Sequence, residues 1–317
     1  MTTTHTYRGI VWIDLESPDE NEISSLVKRY DLHPLVGEEL KSSSSLAKID
    51  VYKDYTFIVL TLPIRTRQGD SYVVVDREVD FVIGKHFLIT SRFEAIEQLE
   101  YFAKIFEANE ILGKNTEKNA LSEQAGKIEH AGHIFYYMIK RLYAGMQNDL
   151  ENIRDAVVAA ENRIFRGGEK HMVKHLSNLN RELIDFKQTA RIHQDIWMHL
   201  GERSERSIFG PDFGPYIEDL KSDFNHIHEL IINARELLSD LRETNDLLLN
   251  TKQNEIIKDL TLIAFIFYPL TTIAAIFTIP GVDVPLVENP HGWWLIMTVM
   301  VILSIGIWFF FKKKKWM

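Results

Sequence analysis

Hydrophobic positions follow three different patterns along the chain. In the first, short runs rich in β-branched and aromatic residues predict strands at Thr6–Leu15, Tyr55–Leu62, Tyr72–Val75, Glu78–Ile83 and Phe87–Thr90. Arg65–Asp70, with Gly69, reads as a polar turn, and Gly84-Lys85 as the turn of a hairpin. Ser17-Pro18-Asp19-Glu20 predicts a helix start, with Ser17 as cap and Pro18 in the first helical position. Residues 1–92 are therefore expected to form a small α/β domain. From Glu94 the spacing becomes helical over 94–113 and 120–166, with Ile134, Met138, Leu142 and Met146 on one face. Gly167-Gly168 interrupts it and Glu169–Leu200 resumes it, which predicts an antiparallel helical hairpin with a glycine tip. After the break at Gly210–Pro215, no glycine or proline occurs from Tyr216 until Pro269. One helix is expected over Tyr216–Ile279, ~96 Å at 1.5 Å per residue. Leu220, Phe224, Ile227, Ile231, Leu238, Leu241 and Leu248 give it one apolar stripe, suited to packing against copies of itself or against other helices.

The third pattern is continuous apolarity. Leu260–Ile279 and Trp293–Phe311 hold 20 and 19 residues without a charge. About 20 helical residues are needed to cross a bilayer core. The 13-residue loop between them makes the pair a hairpin with both chain ends on one side. Lys312–Lys315 assign that side to the cytoplasm, leaving residues 93–259 as a cytosolic helical region and 260–317 as the membrane hairpin, with the outer loop at 280–292. Trp293, Trp294 and Trp308 suit the two membrane interfaces. A chain with two spans cannot enclose a wet pathway alone, so a symmetric ring with the first span on the axis is expected.

Composition adds compartment and sign. There is no cysteine, which excludes disulfides and thiolate metal sites and fits a reducing compartment. The polar N-terminal stretch shows no secretory signal. The formal charge is -9: residues 1–258 carry about -10 and the remainder +1. Such a body disfavours nucleic acid as a partner and broad adhesion to anionic lipid; it either attracts soluble cations or serves solubility alone.

Several segments, in order, resemble the CorA family of divalent-cation (Mg²⁺) channels. They are His33-Pro34-Leu35 with Glu39-Leu40, Lys48–Leu60, Phe81–Thr90, Asn254–Thr261, Tyr268-Pro269-Leu270-Thr271 and the Phe-Lys-Lys-Lys-Lys-Trp segment. The resemblance implies an α+β membrane protein: a funnel-shaped homopentamer with a cytosolic α/β domain, long stalk helices and two C-terminal spans per subunit. It also implies passive flux of Mg²⁺, or of Co²⁺ or Ni²⁺, gated by cytosolic divalent ions, in a multi-pass protein of the plasma or inner membrane with both termini cytoplasmic. Its partners would be itself, the bilayer and the divalent cation, which is both cargo and regulator; no other cofactor is required.

One departure stands out. The family carries Gly-Met-Asn at the outer end of the first span, and counting from Pro269 places Thr278-Ile279-Pro280 there. Gly281-Val282-Asp283 would imitate it only after a three-residue slip. Ile257, Leu260, Ala264, Tyr268, Thr271, Ala275 and Thr278 share the helical stripe that the family turns to its pore, although small and hydroxyl residues also serve plain helix packing. Ile257 and Leu260 would close the cytosolic end as an unwetted constriction. Thr271 and Thr278 offer hydroxyls to the waters around an ion that dehydrates reluctantly. Tyr268 would either narrow the pathway or turn to a neighbour. Asp283 and Glu288 are the acids of the outer loop, placed to concentrate cations at a mouth or simply to solvate it.

For the cytosolic acid pairs with which the family senses Mg²⁺, the counterparts are Asp240, Glu243 and Asp246 opposite Glu94 or Glu97 of a neighbour. His171 and His175 have chelating spacing but no third ligand. No Walker loop, His-Glu-x-x-His or Gly-x-Ser-x-Gly motif is present, so no familiar enzyme is expected. Two rival readings remain at this level: a relative with altered selectivity, for Zn²⁺ or another ion, with or without proton coupling, and a non-conducting membrane scaffold or sensor.

Overall fold

The computed structural model describes residues 2–43, 47–69, 71–112, 128–203, 209–278 and 291–314. They fall into two compact units, Met1–Arg242 and Glu243–Met317. The first unit is built on one six-stranded sheet in the order β1-β2-β6-β5-β4-β3. Its strands are β1 (Thr2–Tyr7), β2 (Ile10–Glu16), β3 (Lys48–Val51), β4 (Tyr55–Gln68), β5 (Ser71–Gly84) and β6 (Phe87–Arg92). All neighbours are antiparallel except β2 and β6.

Three local expectations are corrected by backbone geometry. Thr6–Leu15 is two strands, because Arg8 and Gly9 both take positive φ (48° and 82°) and form a two-residue hairpin turn. Ser17 also has positive φ, and the cap of α1 (Glu20–Arg29) is Asp19. Its carboxylate accepts from the N–H groups of Asn21 and Glu22, both at 2.8 Å, while Glu22 reaches back to the Asp19 N–H at 3.0 Å. Tyr72–Val75 and Glu78–Ile83 are one strand, since β4 and β5 pair over 14 residues each. The polar end of β4, Arg65–Gln68, expected as a turn, continues to pair with Ser71–Val74 without an apolar pattern of its own, and the polar Asp76-Arg77 divides the two apolar runs of β5. Gly84 ends β5 as expected; a Cβ there would lie 2.1 Å from the Phe87 ring.

One sheet face carries Ile13, Leu15, Phe57, Val59, Val82 and Ile89 against Ile23 and Leu26 of α1 and Val36 and Leu40 at α2 (Pro34–Glu39). The other face meets α3 (Glu97–Leu112), α4 (Ala131–Arg163) and α5 (Glu169–Arg203). Trp12 stacks edge-on to Phe102 and Phe106 of α3, and Phe81 to Phe135 of α4. Helices on both faces bury the sheet in a single layered core. The stretch expected to be helical ahead of residue 128 lies partly outside the described residues.

The α4–α5 hairpin turns through Ile164–Gly168, with Gly167 at φ 92°. The next helix, α6, runs from Gly214 to Phe277, 64 residues with Pro269 inside it. Within the first unit its apolar stripe packs on α4 and α5: Phe224 stacks on Tyr143 and His193, and Leu220, Ile227, Ile231, Leu238 and Leu241 are buried. Of the two packing partners open to this stripe, helices of the same chain fill the role. The second unit holds the rest of α6 and α7 (Gly292–Lys313).

Candidate functional site

The first apolar span is an α-helix with two distinct faces. Leu262, Ile266, Pro269, Leu270, Ile273 and Phe277 are buried or half-buried, and all lie on one side. Across from them α7 presents Ile296, Met300, Leu303, Ile307 and Phe311, and the Phe265 and Phe311 rings sit 5.9 Å apart. The predicted pathway residues lie on the other side. Ile257, Leu260, Ala264, Tyr268, Thr271, Ala275 and Thr278 are all exposed within one chain. At 100° per residue the two stripes are centred roughly 170° apart. The helix thus spends one face on its own second span and leaves the opposite one free for a pathway or a neighbour.

Hydroxyls on this free face are already committed as donors. Thr271 Oγ1 donates to the Tyr268 carbonyl at 2.9 Å, as does Thr272 Oγ1. Thr278 Oγ1 donates to the Ala275 carbonyl at 2.9 Å. Thr261 and Thr251 bond back one turn in the same way. The cause is helix geometry: a threonine hydroxyl lies within reach of the carbonyl three or four residues earlier and donates to it. The chemical consequence is that Thr271 and Thr278 retain only acceptor capacity outward. Waters bound to a cation turn their hydrogens outward, so acceptor-only groups complement a hydrated cation. Pro269 lacks an N–H, leaving the Phe265 carbonyl without its helical donor, and the Thr271 and Thr272 bonds brace the helix at the following turn.

Lower on the span, Ile257 and Leu260 are large, exposed and apolar (51% and 61%), one turn apart. Tyr268, at 76%, is more exposed than either of them. No acid lies in the span beyond Asp259, so neutral oxygens are the only ligand chemistry this face offers. Of the signature position, Thr278 is described, while Ile279 and Pro280 lie outside the described residues, as do Asp283 and Glu288. Trp293, Trp294 and Trp308 are exposed near the two ends of α7, as membrane-interface residues must be, and the Lys312 ammonium lies 4.8 Å from the Trp308 ring centroid.

The candidate sensing acids are dispersed in one chain. Asp240, Glu243 and Asp246 are exposed at successive turns of α6. Glu94 is ion-paired with Arg77, a partner that sequence spacing had no means of signalling. Glu97 lines a cleft of about 320 Å³ between α3 and α4 with Gln98, Tyr101, Arg141 and Asn148. Among the described residues no group of three or more His, Asp or Glu side chains is placed to hold a metal ion. His175 is half-buried, and burial with Arg163 nearby holds its pKa below the ordinary histidine value, which disfavours protonation while leaving the His171–His175 pair short of a third ligand.

Other charged groups fall where sequence reasoning did not look. Asp14 and Arg92 form a buried ion pair across β2 and β6, with one Arg92 nitrogen 2.6 and 2.5 Å from the two carboxylate oxygens. Thr90 donates to Asp14 at 2.6 Å and accepts from the Trp12 indole at 3.0 Å. Arg65 of β4 pairs with Glu182 of α5 at 2.8 Å, also buried. His193 is fully enclosed, and burial pulls its pKa down to about 4. Its Nε2 donates to the Thr61 carbonyl at 2.7 Å, its Nδ1 accepts from Tyr143, and Tyr143 accepts from Trp197. The Asp14–Arg92 group joins two strands, and the Arg65 and His193 contacts hold α4 and α5 on the sheet; none belongs to the span.

A family model described as "CorA-like Mg2+ transporter protein" matches residues 7–313. The cobalt/magnesium transport protein CorA of Thermotoga maritima is 24% identical over 96% of this chain and 83% of its own length. The complete structure of the CorA magnesium transporter from Methanocaldococcus jannaschii superposes with a TM-score of 0.80 at 19% identity, over 98% of this chain and 93% of that one. The structure of the full-length CmaX protein gives 0.70 at 17%, over 97% and 89%. At these identities the structural likeness establishes the fold.

Proposed function

The chain belongs to the CorA-like Mg²⁺ transporter family, and from that premise we propose that it carries divalent cations, Mg²⁺ foremost, passively across the membrane through a homopentameric pore. The carrying observation is the two-faced first span. One stripe is spent on α7, while the opposite one bears Ile257 and Leu260 below acceptor-only Thr271 and Thr278. Five copies turned inward would place rings of water-accepting hydroxyls above an apolar constriction. A hydrated Mg²⁺, which keeps its waters, is met by second-shell acceptors rather than by stripping ligands. An apolar ring below it dewets when narrow and conducts when widened. Both chain ends then face the cytoplasm, in keeping with Lys312–Lys315. Asp240, Glu243 and Asp246, opposite Glu94 or Glu97 of the next subunit, supply the regulatory reading: cytosolic ions bridging carboxylates hold the ring closed, and their loss releases it. Because Glu94 is already paired with Arg77, Glu97 is the better placed of the two.

A second reading is favoured by one observation. Thr278-Ile279-Pro280 stands where the family's Gly-Met-Asn is expected, so Pro280 takes the place of the amide-bearing asparagine and the nearest hydrogen-bonding ring is the Thr278 hydroxyl, at the glycine's place. A threonine ring has acceptors but no free N–H donors, and discrimination among Mg²⁺, Co²⁺, Ni²⁺ and Zn²⁺ would differ accordingly. Purified full-length protein in liposomes, assayed with each of these ions and with Cl⁻ under a pH gradient, tests both. Mg²⁺ flux independent of the gradient supports the first reading; Zn²⁺ flux without Mg²⁺ flux supports the second. No flux of any ion, with internal divalent ions present or removed, overturns both in favour of a scaffold.

A further inference from the structure

The turn between α4 and α5 has the opposite electrical character to the rest of the chain. Residues 162–175 carry Arg163, Arg166, Lys170 and Lys174 against the single acid Glu169, a net +3, while everything else totals -12. All four cations are exposed, Glu169 is buried, and no ion pair links the four to a carboxylate among the described residues. Beside them Phe165 is 65% exposed and Val173 50% exposed. An aromatic ring at a glycine turn with unpaired cations on both sides is an unusual combination to leave in water, since neither feature stabilises the hairpin that carries it. Interior positions of the same hairpin, such as Ile164, Met172 and Leu176, are buried in the ordinary way.

The position of the tip within its own unit gives it a direction. Near the sheet, Lys140 of α4 bonds Asp219 and Asp223 of α6, and His193 of α5 stacks on Phe224. Farther along, Asn180 and Lys187 of α5 share a cleft with Ile232, Arg235, Glu236 and Arg242 of α6. Rising residue numbers on α6 therefore accompany the hairpin toward its tip. The tip lies at the end of the unit from which α6 departs toward its apolar span.

We propose that this tip docks on the anionic lipid surface of the membrane the chain spans, with Arg163, Arg166, Lys170 and Lys174 held by phospholipid phosphates and the Phe165 ring seated among the headgroups. Anionic lipid is favoured by charge complementarity, because the cytoplasmic leaflet is the nearest negative surface to a chain of this topology. Each basic residue close to such a leaflet contributes about 1 kcal/mol, a roughly fivefold change in occupancy, within a Debye length of the surface. Phe is among the apolar residues that surface-bound segments bury at the headgroup boundary beside Lys and Arg. The inference rests on the membrane-spanning part of the proposed function and not on the ion conducted.

The chain has no cysteine, so Asn162→Cys, at an exposed position beside the tip, accepts a single fluorophore in the full-length protein. Nanodiscs containing a headgroup-nitroxide lipid then report proximity by quenching. Strong quenching is expected in discs of mixed phosphatidylglycerol and phosphatidylcholine, with weak quenching in phosphatidylcholine alone and loss at 1 M salt, where the Debye length is about 3 Å. Arg166→Gln and Lys170→Gln should each reduce the ratio of docked to undocked tip about fivefold. Phe165→Ala should weaken quenching while keeping its dependence on anionic lipid. Equal quenching in both lipids, or none in either, overturns the proposal, as does label–label contact between copies without lipid quenching. A chain that fails to enter the disc overturns the span reading and this proposal with it; an incorporated chain with an unquenched tip overturns the proposal alone.

Discussion

His193 is the residue where burial speaks most directly to stability. Enclosed as the neutral imidazole, it titrates at about 4 in the folded protein against an ordinary 6.5. Between those values the unfolded chain binds a proton that the folded chain refuses, so stability is complete above pH 6.5 and declines as the pH falls toward 4. The difference corresponds to about 3 kcal/mol. Thermal unfolding of the full-length protein should show a falling midpoint on acidification through this window, with a shallower slope in His193→Gln; identical slopes would remove the assignment. A second prediction concerns Asp14. Arg92→Met strands its carboxylate in the core and should destabilise by about 3–5 kcal/mol, whereas Asp14→Leu combined with Arg92→Met should recover much of the loss, measured by denaturant unfolding. Neither residue was visible beforehand as more than a polar position in a strand. Their partners are 76 or more positions away in sequence, and no local period reports a contact of that kind.

At the scale of the element, the first span makes its own predictions. Leu260→Asn hydrates the apolar ring and should raise basal ion leak in liposomes; unchanged leak would place the constriction elsewhere. Thr271→Val keeps size but removes an acceptor worth about 1 kcal/mol, so Mg²⁺ flux should fall about fivefold, while Thr271→Ser should retain it. The helices were legible because their signals are local: 3.6-residue spacing, the Gly167-Gly168 break and uninterrupted apolarity. Strand ends were not. Arg8-Gly9 turns the chain by its dihedral angles, and the polar end of β4, Arg65–Gln68, pairs through backbone groups with no side-chain pattern to mark it. The cap of α1 was missed by two residues because Ser17 and Asp19 are equally good cap formers by type, and only the backbone angle separates them.

For the whole molecule, the regulatory reading predicts a ring that tightens with cytosolic Mg²⁺. Millimolar Mg²⁺ should slow proteolysis of the full-length protein, and Asp240→Asn with Asp246→Asn should abolish the protection; cleavage at equal rates with and without the ion would rule this mechanism out. What sequence determined alone was the pair of apolar spans, the helical hairpin and the stripe of the first span that stays exposed in one chain. All of these depend on residue type and on neighbours a few positions apart, because solvent partition and helical periodicity act on contiguous segments. Tertiary structure decided the rest. It joined β2 to β6 in parallel, gave the stalk stripe to α4 and α5 of the same chain, spent one face of the first span on α7, and paired Glu94 with Arg77. Each of those outcomes is a choice among distant surfaces of similar polarity. Shape and hydrogen-bond complementarity settle such choices, and these properties exist only once the chain has folded.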